Sequence, residues 1–66
     1  MLYYEKLKQF RQTEKITQRQ IAEKLQITQQ QYYKYESGQN ELPIRYLVII
    51  CREYKISADW ILGLTD

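Results

Sequence analysis

The hydrophobic positions of this chain recur three and four residues apart, which is the spacing of one face of an α-helix. Near the start, Leu7 and Phe10 continue a stripe that opens at Tyr3, and this stripe predicts an amphipathic helix from about Tyr3 to Glu14. Pro43 suits the first turn of a helix, and a second stripe after it predicts a longer helix. The second stripe consists of Ile44, Leu47, Ile50, Cys51 and Tyr54.

Polar residues between these two segments carry two helix-start signals. Thr17 and Thr28 are each followed three residues later by a glutamine, which matches the capping box at the start of a helix. Only two residues separate the short helices predicted in this way, and Gly38 is placed to end the second one. Two short helices joined by so tight a turn are typical of a helix-turn-helix motif, here over residues 17–37.

Near the end of the chain, Ser57 can cap a last short helix that reaches about Leu62. The sequence therefore predicts an all-α fold, a compact bundle of five helices with the helix-turn-helix as its second and third helices. With 66 residues, the chain is expected to form one domain over residues 1–66.

The amino-acid composition argues against several classes of active site. The chain has no histidine and a single cysteine, Cys51. It therefore lacks the ligands of a zinc site and the base of a Ser–His or Cys–His pair. Its two glycines do not form a phosphate-binding loop. We expect no enzyme activity, no cofactor, no metal and no small-molecule ligand.

Charge and hydropathy indicate the compartment and the class of partner. A net charge of +2 permits a polyanionic partner without requiring one. A lone cysteine is compatible with a reducing cytoplasm, and the chain opens without a charged-then-apolar leader. The longest apolar run, from Tyr46 to Cys51, is too short to span a bilayer. These features predict a cytoplasmic protein with no membrane partner.

Residues 10–62 resemble the Cro and phage-repressor helix-turn-helix family, also called the xenobiotic-response-element family. Each matching position is weak alone, but the ordered set is specific and covers most of the chain. In the first half the matches are Phe10-Arg11, Ile16-Thr17-Gln18, Ile21-Ala22, Leu25-Gln26-Ile27-Thr28, Tyr32, Tyr35-Glu36 and Gly38. In the second half they are Leu47, Ile50-Cys51 and Ile56-Ser57-Ala58-Asp59-Trp60-Ile61-Leu62.

This resemblance implies a lambda-repressor-like DNA-binding domain of bacterial or phage origin. We expect a sequence-specific, nucleoid-associated transcriptional regulator that acts as a repressor. It would insert its third helix into the major groove of an operator in double-stranded DNA, as a homodimer. Two alternatives stay open. One is a protein-interaction module of the same fold that has lost DNA binding, and the other is an antitoxin-like switch protein that binds DNA and a partner protein.

The exposed face of the third predicted helix carries the candidate base-reading residues. In helix-turn-helix docking, the N-terminal residues of this helix reach base edges, and a glutamine amide can both donate to and accept from adenine. By resemblance, the candidates are Gln29, Gln30, Gln31 and Tyr33. The alternative is that the glutamines only solvate a helix end.

Phosphate contacts are expected beside the base readers, because such contacts position a protein on the duplex without reading its sequence. Gln18 opens the second helix, where free backbone N–H groups favour an anion, and the family uses a glutamine there to touch phosphate. The further candidates are Thr28, Lys34, Gln39 and Asn40. Many relatives carry cations in the loop after the third helix, whereas residues 39–42 contain none.

Two further expectations concern the structure itself. Arg11 and Glu36 lie near the inner faces of their helices and, by resemblance, pair with each other; the alternative is that Arg11 extends to solvent. Gln26 occupies a turn position that is typically glycine in the family, because the residue there usually has a positive φ. It is expected to carry about 1 kcal/mol of left-handed strain.

A dimer interface is expected from apolar residues that lack a place in the core. Ile49 is predicted to project opposite the stripe of the fourth helix, and Trp60 and Leu64 lie in a C-terminal segment that a small domain buries only in part. The alternative is that Trp60 and Leu64 complete the monomer core. In a dimer, the two reading helices would lie about 34 Å apart, which is one turn of DNA.

Overall fold

The computed structural model describes residues 2–65, and five α-helices lie in that range. They are α1 (Tyr3–Thr13), α2 (Gln18–Leu25), α3 (Gln29–Glu36), α4 (Ile44–Tyr54) and α5 (Ala58–Leu62). The described range contains no strand, so the predicted all-α fold of five helices is confirmed. The helices form a body of about 31 × 23 × 22 Å.

Every helix contributes at least one buried side chain to a single hydrophobic core. Tyr32, in the middle of α3, is fully buried, and so are Leu7 of α1 and Ile21 of α2. The buried cluster consists of Leu7, Phe10, Ile21, Ala22, Leu25, Tyr32, Leu47, Ile50 and Ile61. Complete burial of a leucine or isoleucine side chain stabilises a fold by roughly 1.5–3 kcal/mol. This core holds α2 against α3 and α4, and α1 against α3 and α5.

Side-chain caps start α2 and α3, as the sequence predicts. The Thr17 hydroxyl accepts a hydrogen bond from the backbone N–H of Gln20 at 3.0 Å, and the Gln20 side chain accepts one from the Thr17 N–H at 2.8 Å. In α3 the Thr28 hydroxyl accepts from the Gln31 N–H at 3.1 Å. The Gln31 side chain, however, donates to the Tyr35 hydroxyl. The first capping box is complete and the second is half formed.

A residue with a left-handed backbone lies at or just after the end of each of the five helices. The positive φ expected at Gln26 is present, with φ 59° and ψ 41°. Lys15 and Lys55 adopt similar φ values of 58° and 54°. A lysine at these positions does not predict a positive φ. Gly38 has φ 83°, and a Cβ atom on it would lie 2.6 Å from Cζ of Tyr4. Glycine at this position therefore ends α3 and also makes room for the Tyr4 ring.

Several expectations about α4 are wrong. Ile44, the first residue of the helix, is 78% exposed, and the contacts of this turn with the core are made by Tyr46 and Leu47. Ile49 is half-buried against the core, and Val48 is exposed instead, since α4 packs on both α2 and α5 and buries a wider stripe. Pro43 precedes the helix as its N-cap residue. Cys51 is partly buried and packs against the core, as its place in the stripe predicts.

Trp60 and Leu64, the two C-terminal residues predicted for the dimer interface, have different surroundings in the structure. Trp60 packs against the core. Its carbonyl oxygen accepts a hydrogen bond of 3.0 Å from Lys6 Nζ, which also lies 5.4 Å from the centre of the indole ring. Leu64 is 70% exposed. Trp60 thus helps to join α5 to α1, whereas Leu64 contributes little to the monomer.

Within residues 2–65, no helix combines the length and the apolar character needed to cross a bilayer. The same range holds no group of three or more side chains that could bind a metal ion.

Candidate nucleic-acid interface

The turn between α2 and α3 is closed by backbone hydrogen bonds. The N–H of Gln26 donates to the carbonyl of Glu23 at 3.1 Å, and the N–H of Ile27 donates to the carbonyl of Ala22 at 3.0 Å. These bonds satisfy carbonyl groups that the end of α2 would otherwise leave without a partner. Ile27 also packs against the core, so the angle between the two helices is fixed by both packing and hydrogen bonding.

An open cleft lies on this helix pair, and it brings together most of the predicted DNA-contacting residues. The start of α2, the exposed side of α3 and the loop after α3 form its walls. The side chains that line it are Gln18, Gln29, Gln30, Tyr33, Lys34 and Gln39. Tyr33 is 51% exposed, so its ring is accessible to a bound molecule. The cleft thus combines three candidate base readers with three candidate phosphate contacts.

Three other candidates do not line the cleft. The Gln31 side chain is half-buried and donates to Tyr35 at 3.1 Å. The Thr28 hydroxyl is engaged as the cap of α3. Asn40 is exposed in the loop, and its backbone N–H donates to the carbonyl of Lys34 at 3.1 Å. Gln29 and Gln30 are therefore better placed than Gln31 to contact a base.

A buried ion pair lies behind the cleft. Arg11 Nε lies 2.9 Å from Glu36 Oε2, and Arg11 Nη2 lies 2.9 Å from Glu36 Oε1. The side chain of Glu36 is 2% exposed and that of Arg11 is 14% exposed. Arg11 also donates through Nη1 to the carbonyl of Ile16. The expected pairing is present, and its two-pronged geometry is the one that suits a guanidinium and a carboxylate.

A third side chain joins this pair from the cleft side. Gln18 Nε2 donates to Glu36 Oε1 at 3.2 Å. The sequence predicts a phosphate contact for Gln18 and a pairing of Glu36 with Arg11, but it does not predict the bond between Gln18 and Glu36. No sequence signal links them, since they lie eighteen residues apart on different helices.

The surroundings of Glu36 decide its charge. Burial raises the pKa of this carboxyl, but Arg11, the neighbouring Tyr32 hydroxyl and the Gln18 amide together outweigh burial and hold the pKa below its usual range. The hydrogen bond to Glu36 raises the pKa of Arg11 in turn. Burial, and then the negative charge of Glu36, raise the pKa of the Tyr32 hydroxyl. Glu36 is consequently ionised and Tyr32 neutral at neutral pH.

The cleft itself carries little charge. Of the described side chains that line it, only Lys34 is positively charged. Arg19 of α2 forms an exposed salt bridge of 3.3 Å with Glu23, and Lys24 pairs with Glu53 at 3.2 Å. Most polar groups in the cleft are amides, which both donate and accept hydrogen bonds. The chemistry fits a ligand that offers donors and acceptors beside a few negative charges.

Comparison with known families identifies the helix pair. The pattern of a family described as Helix-turn-helix matches residues 7–61. This chain belongs to that helix-turn-helix family. The match is of the Cro/C1 type, which the resemblance predicted, and the five helices form a lambda-repressor-like helix-turn-helix fold.

Two Bacillus subtilis (strain 168) proteins illustrate the similarity within the helix-turn-helix family. The chain is 43% identical over 65 residues to the uncharacterized HTH-type transcriptional regulator YobD, covering 98% of this chain and 58% of YobD. It is 36% identical over 61 residues to the uncharacterized HTH-type transcriptional regulator YqaE, covering 92% of this chain and 53% of YqaE. The chain thus spans just over half the length of these relatives. No solved structure matches the chain.

Proposed function

We propose that this chain is the sequence-specific DNA-binding domain of a transcriptional regulator, which places α3 in the major groove of an operator. The observation that carries this proposal is the cleft shared by Gln29, Gln30 and Tyr33 with Gln18 and Lys34. Membership of the helix-turn-helix family and two relatives named as transcriptional regulators support it.

The start of α3 supplies the groups that read bases. Gln29 and Gln30 are exposed in the first turn of α3, where helix-turn-helix proteins contact base edges. At the major-groove edge of adenine, a glutamine amide can donate a hydrogen bond to N7 and accept one from the N6 amino group. The exposed Tyr33 ring, one turn further along, offers an apolar surface for a thymine methyl group.

Groups around this helix position it on the backbone. Gln18 at the start of α2, Lys34 of α3 and Gln39 of the following loop border the same cleft. Lys34 neutralises one phosphate charge, and the two amides donate hydrogen bonds to phosphate oxygens. With one cation in the cleft, specificity depends on hydrogen bonds more than on charge.

Regulation by a homodimer completes the proposal. An eight-residue helix such as α3 reads only a few base pairs, so two copies related by a two-fold axis would extend the site, with reading helices about 34 Å apart. The exposed Leu64 and Leu62 are the apolar residues that we assign to the contact, with Trp60 and Ile49 supporting it from the core. A dimer seated on a promoter would act as a repressor by occupying it.

The salt dependence of duplex binding tests DNA binding directly. Fluorescence anisotropy of labelled duplex, measured from about 50 to 200 mM salt, gives the slope of log affinity against log salt. Lys34→Gln is expected to reduce this slope by about 0.9 for each bound copy, because one phosphate charge is no longer neutralised. The matched control is Arg52→Gln on α4, an exposed cation outside the cleft, which should leave the slope unchanged.

Two outcomes would contradict the proposal. Undetectable duplex binding by the unaltered chain would favour the protein-interaction module. Equal changes of slope for Lys34→Gln and Arg52→Gln would show that the cleft is not the DNA-binding surface.

A further inference from the structure

The Gln18 side chain contributes both to the cleft and to the hydrogen bonding of the buried ion pair. It lines the cleft beside Gln29 and Lys34, and its Nε2 donates to the buried Glu36 carboxylate at 3.2 Å. One N–H of the amide is used in this bond, which leaves the second N–H and the carbonyl oxygen free for other partners. The side chain is therefore held at its tip and not only at its backbone.

Holding the tip matters because glutamine has a long and flexible side chain. A free glutamine at a helix start loses rotamer freedom when it binds a phosphate, and that loss weakens the contact. A side chain already ordered by Glu36 has lost this freedom before DNA arrives. A hydrogen bond from inside the protein can thus strengthen a contact made outside it.

The carboxylate can play this part only if its charge is compensated. Glu36 lies behind the cleft, where an uncompensated negative charge would repel the phosphates of DNA. Arg11 donates two hydrogen bonds to the Glu36 oxygens at 2.9 Å, and it is itself anchored to the Ile16 carbonyl. The pair fixes the position of Oε1, to which Gln18 is bound, and removes most of the net charge.

We propose that Glu36 is a positioning residue for DNA binding, which orients the Gln18 amide toward a backbone phosphate while Arg11 holds and neutralises the carboxylate. This inference rests on the proposed function, since it concerns a phosphate contact of the same cleft. It differs from a purely structural role for the ion pair, which would join α1 to α3 without affecting any single DNA contact.

A double-mutant cycle on DNA affinity separates the two roles. Glu36→Gln is expected to weaken duplex binding by about threefold to tenfold, the equivalent of one ordinary hydrogen bond. In a Gln18→Ala background, this weakening should disappear because the positioned group is gone, whereas the attraction of the unpaired Arg11 for phosphate acts equally in both backgrounds. All measurements are made at a temperature where circular dichroism shows each variant to be folded.

Gln39→Ala provides the matched background. Gln39 lines the same cleft but is not among the described donors to Glu36. Glu36→Gln should therefore retain its full effect in the Gln39→Ala background. An equal loss of affinity in the unaltered, Gln18→Ala and Gln39→Ala backgrounds would overturn the positioning role. A general distortion of α3 would weaken binding in this way whichever residue is at position 18.

Two additional measurements keep the inference testable if Glu36→Gln fails to fold. Gln18→Asn keeps the amide but shortens its reach by one methylene, so it should lose about as much affinity as Gln18→Ala; unchanged affinity would overturn the inference. In the free protein, the side-chain NH₂ signals of Gln18 should report an ordered, hydrogen-bonded amide, and signals typical of a freely rotating one would overturn it too. Failure of the unaltered chain to bind any duplex would instead overturn the proposed function, and the positioning role with it.

Discussion

Gln26 has a left-handed backbone at the turn between the two motif helices, with φ 59° and ψ 41°. A residue with a Cβ atom is strained there by about 1 kcal/mol, whereas glycine is not. The hydrogen bonds that close the turn are made by backbone groups, so glycine at position 26 can make them too. Gln26→Gly is therefore expected to raise the free energy of unfolding by up to about 1 kcal/mol in urea denaturation.

A glycine inside a helix gives the matched control for this substitution. Lys8 is an exposed residue of α1, and Lys8→Gly should lower the free energy of unfolding by about 1 kcal/mol. Opposite signs for the two glycine substitutions would identify strain at Gln26. A lower melting temperature for Gln26→Gly would show that its side chain makes a stabilising contact.

The buried pair of Arg11 and Glu36 should contribute far more than an exposed pair. Arg11→Met is expected to cost about 3 kcal/mol, because it leaves an ionised carboxylate that is only 2% exposed without its main partner. The matched control is Arg19→Met, which breaks a pair with Glu23 whose side chains are 80% and 69% exposed; it should cost about 0.5 kcal/mol or less.

Coupling between Arg11 and Glu36 can be measured in the same denaturation experiments. Removing both partners avoids leaving either one unpaired in the core, so Arg11→Met with Glu36→Gln should cost less than the sum of the single changes. Strict additivity would contradict the pairing.

The charge of Glu36 also predicts an acid sensitivity. Its pKa in the folded chain is below the usual value of 4.5, so ionised Glu36 favours folding above about pH 4.5 and this contribution is lost as the pH falls below that value. Stability should therefore decline as the pH falls below about 4.5. Glu36→Gln should flatten this decline in urea melts measured across the range. An unchanged acid profile would exclude Glu36 as a cause.

At the scale of helices, α3 should determine sequence specificity. Gln29→Ala and Gln30→Ala are each expected to weaken binding to the preferred site by roughly 1–3 kcal/mol and to leave binding to random duplex nearly unchanged. The reason is that a lost base contact affects only the sequence that supplied it. Competition with specific and random duplexes measures both quantities. Gln12→Ala, an exposed glutamine of α1 outside the cleft, is the control and should change neither.

An equal loss on specific and random DNA would contradict a base-reading role for Gln29 and Gln30. It would assign both side chains to the backbone instead.

Local sequence signals predicted the helices well, because caps and turns depend on neighbouring residues. Thr17 and Ser57 accept the hydrogen bonds that their cap positions require, and Gln26 has its expected conformation. The signals failed where tertiary packing decides the outcome. Ile44 is exposed although Tyr46 and Leu47 of the same turn pack in or against the core, and Ile49 is half-buried because α4 contacts two other helices.

Only part of the candidate site could be predicted from the sequence, because the rest depends on tertiary packing. Resemblance to a family selected Gln29, Gln30 and Tyr33, and the structure places them around one cleft. The link between Gln18 and Glu36 depends on how α2 lies against α3 in three dimensions. No pattern along the chain reports such a contact.

At the scale of the whole molecule, two copies are expected on one operator. Leu64→Lys should reduce dimer formation because it places a charge in an apolar contact. Sedimentation equilibrium with and without duplex measures the number of copies. Leu2→Lys is the matched control, since Leu2 is a similarly exposed leucine at 56%, against 70% for Leu64, near the other terminus. One bound copy per operator would contradict the dimer.

Our claim that α3 reads DNA sequence can be tested by selection of bound duplexes from a random pool. We expect enrichment of a short motif containing adenines, repeated as two half-sites with two-fold symmetry and centred about one helical turn apart. Gln30→Ala should relax the preference at one position in each half-site. Recovery of duplexes with no common sequence, from a chain that is folded and binds the pool, would contradict the claim.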